Sequence, residues 1–250
     1  MRVRFLGTGE AFDRDRYNTS IMVEDGVSIA IDCGYSSVIP MMKACRKPDL
    51  LFLTHFHPDH YAGLPRLIMQ GRHEKWKEPL RVVGGRGAVD KINRLFEVLY
   101  HKAFLDDLPY LLMVIEVGPG EVVPFGGLSL RVSAGRPMQE SLAVRVSGRN
   151  GSVTYSGDTL PSDDVVALAE GCDLLIHDSY YGVMAPPPDK RNHSSWAEAV
   201  DVARQSGAKQ LAMLHVRTTD RADLAQAIPL LQENYAGKIF APDDGDTIEL

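Results

Sequence analysis

The sequence predicts a mixed α/β fold, with residues 1–250 forming a single domain. Three features lead to this expectation. Short apolar runs of strand length, such as Leu50–Leu53, Asp173–Ile176 and Gln210–Leu214, recur along the chain between segments of helical spacing. Several of these runs end abruptly on a histidine or an aspartate. The composition, 44% hydrophobic and 24% charged over 250 residues, suits a globular core, and no repeat or low-complexity linker divides the chain.

Taken in order, Arg2–Leu6 alternates as a strand and closes on Gly7-Thr8-Gly9, before a charged loop over Asp13–Asn18. Ser20–Val23 and Val27–Ile31 flank Glu24-Asp25-Gly26, a hairpin signal. Asp32-Cys33-Gly34 ends the second of these strands. Ser36–Cys45 reads as a helix with its exit at Pro48. After the Leu50–Leu53 strand a helix is expected from about Asp59 to Met69, then a charged connector over Arg72–Glu78. Leu80–Val83 is a short strand and Gly84-Gly85-Arg86-Gly87 a flexible turn. That glycine run fits neither phosphate-loop pattern.

Ala88–His101 carries Ile92, Leu95, Phe96 and Leu99 on one helical face. Leu111–Val117, Leu128–Val132, Ala143–Val146 and Val153–Tyr155 read as strands, with turns at Pro119-Gly120 and Gly126-Gly127. Asp163–Glu170 is a short helix capped by Ser162. Pro186-Pro187-Pro188 marks a stiff extended loop. Ser195 and Glu198 have capping-box spacing ahead of a helix whose face is Trp196, Ala199, Val200 and Ala203. Ala222–Tyr235 is helical in pattern with a break expected at Pro229. Ile239–Phe240 and Thr247–Ile248 finish the chain as strands.

The stretch with the most chemistry is Thr54-His55-Phe56-His57-Pro58-Asp59-His60. His55 and His57 are two apart and face the same way in an extended segment. Pro58 stops the extension, Asp59 can cap the following turn, and His60 begins it. Imidazole and carboxylate converging on one pocket suit zinc, manganese or iron. The zinc-protease pattern H-E-x-x-H is absent. Asp158, His177, Asp178 and His215 each follow an apolar run, as this loop does.

Composition narrows the function classes. A net charge of −6 argues against broad electrostatic binding to nucleic acid. No apolar run reaches membrane-spanning length, and the N-terminal residues lack a signal peptide's apolar segment. Cys33, Cys45 and Cys172 are an odd number without C-x-x-C spacing, as expected of free thiols in a reducing cytoplasm.

Thr-His-x-His-x-Asp-His at 54–60 resembles the signature of the metallo-β-lactamase superfamily. The resemblance implies a four-layer αββα sandwich of two mixed sheets, usually with two metals at one sheet edge. Ser156-Gly157-Asp158-Thr159 resembles the loop whose aspartate bridges those metals, and Leu214-His215 resembles the last metal histidine. By this resemblance Asp59, His60, Asp158 and His215 hold one metal. His55, His57 and Asp158 belong to the other, which normally takes a further histidine. Arg136 stands where that histidine is expected, and a guanidinium offers no lone pair to a cation. Three readings stay open. Arg136 replaces part of the charge of a missing second metal; another histidine (His177, His193, or less readily His73 or His101) completes the site; or the site has degenerated and binds without catalysis. His73 and His101 otherwise read as structural.

A narrower resemblance, to the ribonuclease Z-like branch, rests on Phe5–Gly9, Arg16–Ser20, His60–Pro65, His177–Tyr180, His193-Ser194-Ser195 and Asp244-Gly245. That branch carries a glutamate where Asp178 stands, and a histidine, here His193, that helps protonate the leaving group. It also carries a long tRNA-gripping arm in the interval where this chain has only Ser147–Ser152, so tRNA is a doubtful substrate. The expected activity is a metal-dependent phosphodiesterase acting on a small, cyclic or nucleotide phosphodiester through a metal-bound hydroxide. Asp59 and Asp158 would orient the metal, His193 steered by Asp178 would act as general acid, and Arg136 would grip a phosphate oxygen. The alternatives are a thioester, lactone or β-lactam hydrolase, and a non-catalytic metal- or ligand-binding protein. The branch's frequent dimers allow a homodimer.

Overall fold

The computed structural model describes residues 1–101, 103–135, 141–182 and 185–250. In chain order the first half runs β1 (Arg2–Gly7), β2 (Ser20–Glu24), β3 (Ser28–Ile31), α1 (Val38–Ala44), β4 (Leu50–Phe52), α2 (Pro58–Tyr61), α3 (Leu64–Glu74), β5 (Leu80–Gly85), α4 (Ala88–Leu99) and β6 (Leu112–Val117). The second half runs β7 (Val122–Phe125), β8 (Leu128–Ala134), β9 (Leu142–Gly148), β10 (Gly151–Tyr155), α5 (Asp163–Leu168), β11 (Leu174–Asp178), α6 (Trp196–Ser206), β12 (Gln210–Leu214), α7 (Arg221–Gln232), β13 (Lys238–Phe240) and β14 (Thr247–Glu249).

Among the described residues these strands form two sheets, in the orders β14-β1-β2-β3-β4-β5-β6 and β13-β12-β11-β10-β9-β8-β7. Both are mixed, with β3-β4-β5-β6 and β10-β11-β12-β13 parallel. The inner parallel strands β4, β10, β11 and β12 are buried on both faces, which is why they read as continuous apolar runs. Leu50 and Phe52 of β4 point between the sheets, as do Leu174 and Ile176 of β11 and Ala212 and Leu214 of β12. Leu51 and Leu53 instead meet a helix-side core with Leu64, Leu67, Ile92 and Phe96. Leu175, Leu211 and Met213 meet Trp196, Ala199 and Ala203 on the opposite outer side. The result is the helix–sheet–sheet–helix sandwich expected of the metallo-β-lactamase fold.

The structure departs from the sequence reading in four places. Gly84 and Gly85 lie inside β5 rather than in a turn, and a side chain at Gly84 would press on Ala88. The strand β7 adds an element the sequence reading does not contain; it is the sheet's edge, where the missing N–H of Pro124 does no harm. Pro229 sits within α7 without ending it, on an exposed face where the carbonyl it leaves unpaired meets water. The helix expected over Asp59–Met69 is two helices separated by Ala62-Gly63. Gly63 is needed at that break because a Cβ there would fall 2.4 Å from the Gly34 carbonyl oxygen.

Candidate metal centre

All the polar strand ends noted above gather at one edge. Because β3 and β4 in one sheet and β10, β11 and β12 in the other are parallel to their neighbours, their carboxyl ends share a rim. Asp32 leaves β3, residues 54–60 leave β4, Asp158 leaves β10, Asp178 ends β11 and His215 leaves β12. The Leu142 amide donates to the Thr54 carbonyl at 3.0 Å and ties the two sheets together there.

Asp59, His60, Asp158 and His215 are all buried, and each offers one donor atom within 4.8 Å of the others. His60 Nε2 lies 3.2 Å from Asp59 Oδ2 and 3.3 Å from Asp158 Oδ1. His215 Nε2 lies 3.3 Å from Asp59 Oδ2 and 3.7 Å from Asp158 Oδ2. His55, His57 and Asp158 form an adjoining group, with His57 exposed. Asp59 does not cap a helix as the sequence suggested. His57 occupies the cap position and Pro58 the first turn, which leaves the Asp59 carboxylate turned toward the histidines.

The donor chemistry fits a divalent cation. His55 Nε2, His60 Nε2 and Asp158 Oδ1 are buried and carry no hydrogen bond. Burial opposes charge on His60, but Asp158 and Asp32 outweigh it and hold the imidazole pKa well above its ordinary value. Burial likewise opposes charge on Asp158, yet His215 and His60 hold its carboxyl well below the usual range. Asp59 behaves in the same way, with the adjacent His215 and His60 rings outweighing burial. His55 is driven the other way by burial and by His60, toward a neutral ring. The carboxylates therefore attract positive charge to the middle of the cluster.

Two residues stand behind the cluster: Thr54, the first residue of the motif, and Asp32, which the sequence does not single out. Asp32 is fully buried and accepts from the Thr54 amide at 2.8 Å, the Thr54 hydroxyl at 2.8 Å and His60 Nδ1 at 2.7 Å. The Thr54 hydroxyl has a single proton, directed to Asp32, so its oxygen accepts from His55 Nδ1 at 3.0 Å. Both Nδ1 atoms are thus donors, so a cation taking the place of the His60 Nε2 proton would meet the Nε2 atoms of both rings. One carboxylate fixes the tautomers of two histidines. The signal was an aspartate closing a buried strand, which was read only as a strand end.

Beyond His215 the cluster continues into a proton-bearing pair. Asp178 Oδ2 accepts from His193 Nδ1 at 2.9 Å and from the Thr159 amide at 3.0 Å. His193 Nδ1 lies 3.9 Å from Asp158 Oδ2. Its ring stacks on Tyr180 at 4.7 Å and on His215 at 5.0 Å between centroids. Burial lowers the His193 pKa, but the charge and hydrogen bond of Asp178 raise it further, to about 9.

Other expected participants lie elsewhere. His177 is buried with Nδ1 against the Asp178 carbonyl, and it joins no metal-capable group among the described residues; nor do His73 and His101. Among the histidines weighed for completing the second site, His193 is the one at the cluster, grouped with Asp178 and His215. Arg136 lies outside the described residues. The motif pieces at Thr8, Tyr17 and Asp244 meet each other: the Asp244 carboxylate accepts from the Thr8 and Tyr17 amides at 2.8 and 2.7 Å, bracing the loop between β1 and β2.

Comparison with known proteins agrees with this geometry. A family model described as anti-Pycsar protein Apyc1 matches residues 1–224. A ribonuclease Z of Natronomonas pharaonis is 28% identical over 304 residues, covering 100% of this chain and 98% of the relative. Among solved structures, the metallo-β-lactamase fold protein YhfI from Bacillus subtilis superposes with a TM-score of 0.85 at 18% identity, covering 100% of this chain and 99% of its own. The short form of human tRNase Z gives 0.79 at 21% identity, with the same coverage.

Proposed function

The chain belongs to the family described as anti-Pycsar protein Apyc1, in the ribonuclease Z-like branch of the metallo-β-lactamase superfamily, and from its site we propose a phosphodiesterase acting on a small, cyclic or nucleotide phosphodiester. It is a metal-dependent hydrolase of that branch. The observation that carries the substrate class is the Asp178–His193 pair beside Asp158. Phosphodiester hydrolysis expels an alkoxide, a poor leaving group that needs a proton as the ester bond breaks. A thiolate needs none, so a held imidazole at this place favours the phosphodiester over the thioester reading.

Substrate size is read from the β9–β10 turn. The strands pair through Gly148 and Gly151 and connect by Arg149-Asn150 alone, so the interval that carries a tRNA-gripping arm in the resembled branch is a two-residue turn. The match to the Natronomonas ribonuclease Z spans 304 residues, more than this chain has, in keeping with segments present only in that relative.

Asp59, His60, Asp158 and His215 would hold one cation, and His55 and His57 with Asp158 would take part in holding a second; zinc suits the mixed imidazole and carboxylate donors. Bound there, the metal supplies Lewis-acid polarisation and acidifies water. Asp59 and Asp158 orient the attacking water at the phosphorus. The water oxygen forms the new P–O bond, the ester P–O bond breaks, and His193 gives its proton to the departing oxygen. The proton lost by the water restores the imidazole. Arg136 is proposed to grip a phosphate oxygen. The three free thiols accord with a cytoplasmic setting.

The test is turnover by metal-loaded protein of a panel holding cyclic nucleotides, a precursor tRNA, a thioester and a lactone. Hydrolysis confined to the small phosphodiesters is expected. Preference for the thioester or lactone would overturn the reading. A protein that keeps its metal and turns over nothing would establish the non-catalytic alternative.

A further inference from the structure

Arg191 has no part in the chemistry above, yet it is only 8% exposed. Arginine is seldom this buried unless its donors are matched. Here Nε donates to the Pro186 carbonyl at 2.6 Å and Nη1 to the His193 carbonyl at 2.6 Å. Nη1 and Nη2 also meet Glu198 Oε2 and Oε1 at 2.8 and 2.5 Å, a two-pronged pairing. Glu198 is itself fixed: its Oε2 accepts the Ser195 amide at 2.8 Å, completing the capping box that starts α6. One guanidinium thus joins both ends of the loop between Pro186 and His193 to the head of a helix packed on the second sheet. The His193 side chain leaves that same anchored residue to reach Asp178.

We propose that Arg191 is a positioning residue for the general acid: by fixing the His193 backbone to the start of α6, it holds the imidazole against Asp178 and over the leaving oxygen. This rests on the assignment of His193 as proton donor. The planar fork is essential to the arrangement, because an ammonium cannot address Glu198 through two atoms and two carbonyls at once. Tyr180, stacked on the imidazole, limits its tilt.

A positioning role and a merely structural one differ in leaving-group dependence. Two phosphodiesters of equal charge, one releasing an alkoxide and one releasing p-nitrophenolate, are assayed with metal-loaded wild type, His193→Ala, Arg191→Gln, Arg191→Lys and Arg204→Gln. Arg204 pairs with Asp201 on the exposed side of α6 and serves as control. His193→Ala should lose roughly 100-fold or more on the alkoxide substrate and far less on p-nitrophenolate. Arg191→Gln should show the same selectivity, with kcat on the alkoxide substrate falling about 10- to 100-fold and KM little changed. Arg191→Lys should recover part of the loss, and Arg204→Gln should match wild type. The His193 Nδ1 proton resonance, sharpened by Asp178 in wild type, should broaden or vanish in Arg191→Gln.

Equal losses on both substrates in Arg191→Gln, beside a selective His193→Ala, would overturn the clamp and leave the acid assignment standing. An unselective His193→Ala would overturn that assignment and the clamp with it. Should Arg191→Gln not fold, Glu198→Gln reads the same contact, because it keeps an acceptor for the capping box while giving up the charged pairing. Wild-type selectivity in Glu198→Gln together with Arg191→Lys would likewise refute the proposal.

Discussion

Replacing Asp32 by Asn isolates the tautomer control from the packing. The two side chains have the same shape, and Asn tolerates the left-handed backbone found at Asp32, φ 60°, about as well as Asp does. Only the hydrogen-bond sense changes. Asp32 Oδ1 accepts the Thr54 amide and Oδ2 accepts His60 Nδ1 at 2.7 Å, so an NH2 in either position faces a donor. If it faces His60, the ring must turn its lone pair to Nδ1 and present N–H to the metal cluster. If it faces Thr54, a fully buried amide is left unpaired. Loss of such a partner behind a metal ligand lowers metal affinity about 10- to 100-fold, and the buried mismatch costs about 1–3 kcal/mol of stability. The assay is zinc affinity by competition with a chromophoric chelator, alongside urea unfolding of the metal-free protein. Wild-type zinc affinity in Asp32→Asn would refute the argument that this carboxylate sets the donor face of His60.

Three further outcomes follow from the same geometry. Asp59→Ala and His215→Ala should each abolish metal retention, read by elemental analysis, and turnover with it; full activity in either would sink the metal assignment. Gly34→Ala should destabilise by about 1–3 kcal/mol in chemical unfolding, because the new Cβ would lie 2.1 Å from the Asp59 carbonyl oxygen, a backbone atom that cannot yield without moving α2. Burial opposes the charge of Glu198, but Arg191 and Ser195 outweigh it and hold its carboxyl below the ordinary value of 4.5. A depressed folded-state pKa gives stability that is fully present above 4.5 and is lost as the pH falls through the folded value. The stability gap between wild type and Glu198→Gln should therefore be widest near neutrality and narrow below about pH 4.5.

The sandwich was legible because its inner parallel strands are buried on both sides and so stand out as apolar runs, and because β4, β10, β11 and β12 stop where a candidate site residue begins. His55 through His60 could be read as a metal loop from spacing alone. Asp158 and His215 could not, because single polar residues after a strand are common; only the resemblance selected them. Asp32 escaped for the same reason: nothing local distinguishes a strand-ending aspartate that braces a histidine 28 residues later. Pro229 misled because a proline inside a helical pattern signals a break, whereas it lies on an exposed helix face, a position that only the assembled fold assigns. The clamp at Arg191 was half visible, since the capping box was read from Ser195 and Glu198, but its charged partner depends on how the intervening loop returns.

Asp32 and His215 share a backbone feature that links metal binding to the whole rim. Both adopt left-handed φ, 60° and 59°, and each stands at the carboxyl end of a strand in a different sheet. Such conformations cost on the order of 1–3 kcal/mol each unless the surroundings hold them. Between them lie His60, bound to Asp32 on one side, and Asp59, which meets both His60 and His215. A cation held by Asp59, His60, Asp158 and His215 would join residues from both sheets. Chelation should then act on this edge more than on the body of the sandwich. At a zinc concentration of about 1,000 times its dissociation constant, binding contributes about 4 kcal/mol, which for a chain of this size corresponds to a fall of roughly 8–16 °C in Tm on metal removal. Hydrogen exchange gives the spatial test. The amides of Leu142, which bonds across the sheets to Thr54, and of Cys33, which bonds to the His60 carbonyl, should lose protection. The amides of Val144 and Val146, buried in the middle of β9, should keep theirs beyond what the global change in stability requires. Uniform loss across both groups would mean that the metal stabilises the fold as a whole, and the strained strand ends would then need another source of support.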